Sequence, residues 1–358
     1  MPSSGTRLRV AAALIVALGI AHVDAEVGVT DGPKGVVVNP RNGKAYTAFP
    51  DLGVVKVVSG AAGPVATLRT GANVKALTLD PRSGRVYAMN RGPGTVSVID
   101  PQTDAIIDTL PADRGSLTAL NPLTGKLYVS ASTGTDPSVI DLATGQSTTI
   151  RAGTEGNALS VNVKANEIYF VGYQDAFLTI VDGTTNTPTR ITVPGLHQWE
   201  SALSDATGLL YLPSPNDDAV TVVDTRTRVV RTIGTGQTPI AVAVNDVTQR
   251  VYVVNYASSD VTVIDARTQT LIATVKVGLW PQQLAVNAST NTIYVVNTHA
   301  DTVSVIDGRT NRVTAAVPTG RGPWAVAVDA VRNVTYVANR LSDTVTVIDG
   351  RTHRGVHR

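Results

Sequence analysis

Short apolar runs alternate with polar turns along most of the chain, and the unit around Tyr294 shows the plan. Gln283–Asn287 reads as one strand, Thr292–Asn297 as a second, Thr302–Asp307 as a third and Val313–Pro318 as a fourth. Turn-forming stretches such as Ala288-Ser289-Thr290-Asn291 and Asp307-Gly308-Arg309-Thr310 separate them, as expected where a chain reverses between strands. Four short antiparallel strands in about 42 residues describe one blade of a β-propeller.

The unit recurs. Tyr46, Tyr87, Tyr128, Tyr169, Tyr211, Tyr252, Tyr294 and Tyr336 follow one another at steps of 41, 41, 41, 42, 41, 42 and 42 residues. Asp100, Asp141, Asp182, Asp224, Asp265, Asp307 and Asp349 keep the same rhythm, with Ser59 in the first unit. Each of these Asp residues has a Thr three positions later, from Thr103 to Thr352. Two markers in step over eight units predict an all-β fold, an eight-bladed propeller of four-stranded antiparallel blades, with seven blades and one displaced unit as the alternative. The markers read as structural. Asp and Thr suit a turn whose carboxylate accepts backbone N–H groups, and Tyr can pack between blades while its hydroxyl finds a partner. Only nine residues follow Asp349, so Glu26–Thr30 is expected to supply the missing strand of the last blade and close the ring.

Tyr252-Val253-Val254-Asn255, Tyr294-Val295-Val296-Asn297 and Tyr336-Val337-Ala338-Asn339 resemble the signature of the YVTN-repeat propeller family. The likeness covers nearly the whole chain after its first 25 residues. It weakens at Tyr128-Val129-Ser130-Ala131, Tyr169-Phe170-Val171-Gly172 and Tyr211-Leu212-Pro213-Ser214. Neither the Trp-Asp ending of WD40 units nor the double glycine of kelch units is present. The resemblance implies an extracytoplasmic location and leaves activity open, since its members are similar to surface-layer proteins and periplasmic propellers.

The first residues add a compartment. Arg7 and Arg9, an apolar core from Val10 to Ala21 and Val23-Asp24-Ala25 read as a signal peptide over 1–25, cleaved after Ala25. Twelve apolar residues are too few to span a bilayer. The expected organisation is therefore a leader and a single domain over 26–358, periplasmic or secreted, without a transmembrane anchor. The chain contains no cysteine, which excludes disulfides and a lipid-modified Cys. The 30 basic and 28 acidic residues nearly balance, and losing Arg7, Arg9 and Asp24 leaves a net charge of about +1. No bulk field favours polyanions, so general nucleic-acid binding is not expected.

Departures from the repeat are where function should show. The residues leading into each first strand are Lys34, Lys75, Ser116, Asn157, Trp199, Ile240, Gln282 and Trp324. Two positions earlier come Gly32, Asn73, Arg114, Glu155, His197, Thr238, Trp280 and Gly322. All three tryptophans thus fall in one class of loop, at one mouth of the central channel. His197 and Glu200 flank Trp199, and Glu200 occupies a slot that is mostly Gly, Ala or Leu. The candidate ligand-binding residues are Trp199, Trp280, Trp324, His197, Glu200, Gln282, Arg321, Arg340 and Lys34, with Arg91, Tyr173, Asp175 and His299 around the rim. Trp280, Arg321, Trp324, Arg340 and Lys34 share one sector once the ring closes. The competing reading is that the indoles plug the channel.

No catalytic residue, metal site or cofactor is assigned. The four His outside the leader lack zinc-site spacing, and Gly-x-Ser-x-Gly is absent. The leading expectation is a monomeric binding or scaffold protein, leaning away from an enzyme, whose partner is an unidentified small molecule or protein. An enzyme or cofactor-binding subunit is the alternative. Eight-bladed propellers that look like this one include the haem d1 domain of nitrite reductases and its assembly relatives, and seven-bladed ones the heavy subunit of quinoprotein amine dehydrogenases. A haem would need His197 or His299 as an axial ligand. Nucleic-acid binding comes third: Lys34, Lys75, Arg114 and Arg321 form a basic arc, opposed by Glu155, Glu200, Asp217 and Asp218.

Overall fold

The computed structural model describes residues 35–357, apart from 61–62, 132–135, 154–155, 157, 173–175 and 196–199. These residues form eight four-stranded antiparallel sheets, each with its strands in sequence order from first to fourth. The fold is an eight-bladed β-propeller. Blade 7 consists of Pro281–Asn287, Thr292–Asn297, Thr302–Asp307 and Arg312–Pro318, close to the strands expected from the apolar pattern. Among the described residues, no helix is long and apolar enough to cross a membrane.

Burial varies radially. The second strand of blade 7 is buried from Ile293 to Asn297, while its outer strand is mostly exposed. A middle strand has a neighbouring blade on both faces, so it reads as a continuous apolar run instead of an alternation. Eight buried clusters hold the ring, each built from two adjacent blades. The marker tyrosines sit in them, almost fully buried.

The periodic polar residues are explained by their bonds. The Asp349 carboxylate accepts the N–H groups of Arg351 and Thr352, each at 2.9 Å, and Asp141, Asp182, Asp224 and Asp265 repeat the turn. Backbone N–H donors hold the carboxyls of Asp182 and Asp349 below the usual carboxylate range. The signature Asn acts as a clamp. Asn297 donates to Thr302 and Ser304 on the third strand, at 3.1 and 2.9 Å, while Ser304 accepts the N–H of Gly278 in the loop leading into the same blade. Gly278 has to be glycine there: a Cβ would lie 2.7 Å from the Asn297 side chain.

Blade 8 has an outer strand of its own, against the expectation that nine residues are too few: it is Arg354–His357, paired with the third strand Thr344–Asp349. Nine residues suffice because this strand has four residues where most others have five to seven, after the same turn with a left-handed residue, here His353 (φ 53°). Glu26–Thr30 lies outside the described residues. Among those described, blades 8 and 1 meet through side chains, not a shared sheet. Ala45 and Val58 pack on Tyr336, Val345 and Val347. The Tyr336 hydroxyl donates to the Gly43 carbonyl and accepts the Gly60 N–H, both at 2.9 Å. Arg332 caps the Pro40 carbonyl at 2.9 Å.

One inter-blade ion pair occurs twice with its signs exchanged. Lys44 of blade 1 pairs with Asp104 of blade 2, and Glu167 of blade 4, in the slot of Lys44, pairs with Arg228 of blade 5. The acid takes a tyrosine hydroxyl in both places, from Tyr46 and from Tyr169. Glu167→Lys sets two cations face to face in a half-buried cleft and is expected to cost about 2 kcal/mol, since a partly buried charge loses its partner. Adding Arg228→Asp recreates the blade 1–2 arrangement and should recover most of that loss in urea denaturation.

Candidate functional site

The loops leading into the first strands share one face with the loops between second and third strands. They are sewn together by backbone bonds: Thr238, Trp280 and Gly322 each give a carbonyl to the N–H of Tyr256, Thr298 and Arg340, respectively. These positions are left-handed, with φ of 54° at Thr238, 52° at Trp280 and 60° at Gly322. A tryptophan held in this region is strained, and such strain concentrates at functional sites. Trp280 is 46% exposed. It lies against Tyr256 (centroids 5.6 Å apart) and His299 (4.6 Å).

The next two residues shape the first strand. Register shifts between Pro281 and Gln283 in blade 7, and between Pro323 and Ala325 in blade 8. Gln282 and Trp324 are therefore the extra residues of β-bulges, which re-aim side chains and recur beside functional sites. Trp324 is half-buried, and its ring lies 5.0 Å from the guanidinium of Arg340. Arg340 is almost fully buried, so this pair is a fixed wall of the mouth. Arg321 is exposed and donates to the Leu341 carbonyl at 3.3 Å.

Deeper in the channel, each first strand contributes one residue eleven places ahead of its marker tyrosine. These are Gly35, Ala76, Leu117, Ala158, Glu200, Ala241, Gln283 and Ala325. Two members of this slot are polar, Glu200 and Gln283. The Gln283 Oε1 accepts the Val326 N–H of blade 8 at 2.9 Å, and the Val242 N–H and the Gln283 amide lie near enough to Glu200 to favour its charged form. Burial pushes the Glu200 carboxyl up to about 7, against the opposing pull of its two donors. The residue keeps some exposure.

Trp280, Gln282, Arg321, Trp324 and Arg340 thus lie at the same end of blades 7 and 8, and Glu200 leads into the first strand of blade 5. Trp199, His197 and Lys34 lie outside the described residues, as do Tyr173 and Asp175 of the rim. Gln283 and Tyr256 were not singled out from the sequence. Both left a signal there: Gln283 breaks the same apolar column as Glu200, and Tyr256 is one of only two tyrosines outside the repeat marker. On the opposite face, a cleft of about 520 Å³ opens between blades 4 and 5. Glu167 and Arg228 satisfy each other there, and no aromatic platform adjoins them.

Of the two candidate axial ligands, His299 stacks on Trp280 in an exposed loop and His197 lies outside the described residues. Among the described residues, no three His, Cys, Asp or Glu side chains converge on a metal site.

No family model matches the chain, and no curated protein does. Among solved structures, it is similar to Kuenenia stuttgartiensis hydrazine synthase, with a TM-score of 0.62 and 15% identity over 92% of this chain and 98% of that one. It is also similar to the dihydro-heme d1 dehydrogenase NirN in complex with DHE, with a TM-score of 0.70 and 14% identity over 92% of this chain and 73% of that one. At these identities the likeness establishes the fold alone.

Proposed function

We propose that this propeller is an exported binding protein of the YVTN-repeat type, and that the mouth over blades 5 to 8 takes a flat organic ligand. The observation that carries this reading is the half-exposed Trp280, held in a left-handed backbone where blade 8 has Gly322. Tyr256, His299 and Trp324 extend the platform, and Gln282, Gln283 and Glu200 supply the few oriented polar groups typical of ligand sites. In this reading residues 1–25 act as a leader, and the protein works in the periplasm or outside the cell. N-terminal sequencing of exported protein should begin at Glu26, and a retained leader would overturn that placement.

The mouth is tested with Trp280→Gly and with Trp324→Ala. Trp280→Gly removes backbone strain worth about 1–3 kcal/mol and ring contacts worth about 0.5–1.5 kcal/mol. Stability in urea should therefore change little or rise. A packed channel plug would instead cost about 3–5 kcal/mol. Either variant should weaken binding of benzamide, a neutral planar probe, at least tenfold in calorimetry; undiminished binding would refute the platform.

A second reading, a cofactor-binding or enzymatic propeller, is favoured by the two similar structures, both enzymes by name. Its test is the visible spectrum of protein exported to a haem-replete periplasm. A Soret band would support it; a colourless protein would rule out bound haem.

A further inference from the structure

We propose that the face opposite the mouth docks on an anionic lipid bilayer, through four arginines and two exposed valines of blades 5 to 8. This is independent of what the mouth binds, and it leaves the mouth turned away from the membrane.

The arginines occupy one slot. Two positions after the marker Asp (Ser59 in the first unit), the eight units carry Ala61, Gln102, Ala143, Thr184, Arg226, Arg267, Arg309 and Arg351. Half of the ring therefore has a cation at every turn between third and fourth strands, and the other half has none. All four arginines are exposed. Each shares its turn with an Asp, whose carboxylate accepts the backbone N–H of that same arginine. The two charges lie at different depths in blade 7, where the Arg309 side chain is 80% exposed and that of Asp307 24%. In blade 6, Asp265 is already paired with Arg250 of the second strand. Among the described residues, Arg226, Arg267 and Arg351 take part in none of the ion pairs.

The turns between first and second strands lie on the same face and supply an apolar component. Backbone bonds tie each to the arginine turn of its own blade. The Ala266 N–H donates to the Gln249 carbonyl at 3.0 Å, and the Gly350 N–H to the Asn333 carbonyl at 2.8 Å. These turns carry Val247 and Val331, 77% and 74% exposed, the most exposed large hydrophobic residues among those described. In blades 1, 2 and 4 the same slot holds Arg41, Arg82 and Lys164, each tied to a carbonyl of the next blade. Valine makes no such bridge and leaves apolar surface in water. Asp205, the exposed acid in this set of turns, belongs to blade 5 and marks the edge of the contact.

Cations with apolar tips beside them suit a bilayer interface, where phosphate headgroups overlie hydrocarbon. A soluble polyanion would engage the arginines alone. Four turns from four blades match an extended surface better than a single small anion.

The test is co-sedimentation of the exported chain with phosphatidylcholine vesicles that contain, or lack, about one third phosphatidylglycerol. The anionic vesicles should bind it at least tenfold more tightly, and added salt should weaken that binding. Arg226→Gln, Arg267→Gln, Arg309→Gln and Arg351→Gln together should weaken it about a hundredfold or more, since each cation near such a surface adds about fivefold. Val247→Ser with Val331→Ser should weaken it at least fivefold. Arg69→Gln with Arg151→Gln, which removes exposed cations at the mouth end of blades 1 and 3, should leave it within twofold. Equal binding to the two vesicles, or a loss in that control matching the four-arginine loss, would overturn the docking face. Valine variants that bind like the wild type would overturn the bilayer as its occupant. The comparison of vesicles decides the matter even where a variant folds poorly.

Discussion

Glu200→Gln should make the protein more stable at pH 8 by roughly 2–3 kcal/mol and should flatten its stability between pH 5 and 8. In the wild type, burial pushes the Glu200 carboxyl from 4.5 up to about 7. Between those values the folded chain holds a proton that the unfolded chain has released. Stability therefore falls as pH rises through this window, and the loss is complete above the folded value. Each pKa unit is worth about 1.4 kcal/mol, and the exposure that Glu200 keeps trims the total to the range given. Glutamine keeps an acceptor for the Val242 N–H and carries no charge to desolvate. The turn carboxylates act in the opposite sense. Asp182, Asp224, Asp265, Asp307 and Asp349 are held below their usual value, so what they contribute is lost as pH falls below about 4. Urea denaturation from pH 5 to 8 isolates Glu200. Parallel curves for wild type and variant would show that its carboxyl is not desolvated.

The second large effect belongs to the seam between blades 8 and 1. Tyr336→Phe should cost about 2–4 kcal/mol, because it strips the Gly60 N–H and the Gly43 carbonyl of a buried partner together. Tyr252→Phe is the control. Its hydroxyl is buried with no partner among the described residues, and burial pushes its pKa up to about 12. Removing it should change stability by no more than about 0.5 kcal/mol, or raise it slightly, since an unpaired buried hydroxyl is a cost in itself. The rings bury similar surface in both blades, so the difference reports the hydroxyl bonds. Hydrogen exchange should also quicken at Gly60 in Tyr336→Phe. Equal losses in the two variants would mean that the seam bonds add nothing beyond ring packing.

The blades were legible because Tyr and Asp recur for mechanical reasons that every unit shares: a ring between blades and a carboxylate in a turn. The third periodic residue, Asn at the end of the second strand, was visible as a signature. Its work as a clamp on Thr302 and Ser304 depends on which third-strand hydroxyls lie opposite, which only register discloses. The outer strand of blade 8 was missed because its length was taken from the other units: it has four residues where most others have five to seven. The site was half legible. The tryptophans and Glu200 stood out as exceptions to the repeat. Gln282 was chosen and its neighbour Gln283 overlooked, because a β-bulge at Gln282 passes the paired strand position to Gln283, which spacing does not announce.

The seam has a consequence for how such a chain could lengthen or shorten. Every described blade is drawn from one uninterrupted stretch, and blade 8 takes its outer strand from its own unit. Duplicating or deleting one unit of DNA therefore adds or removes a finished four-stranded part. What must be repaired after such an event includes the contacts of Tyr336 and Arg332 with the first blade. Ring size is thus open to change by single tandem duplications.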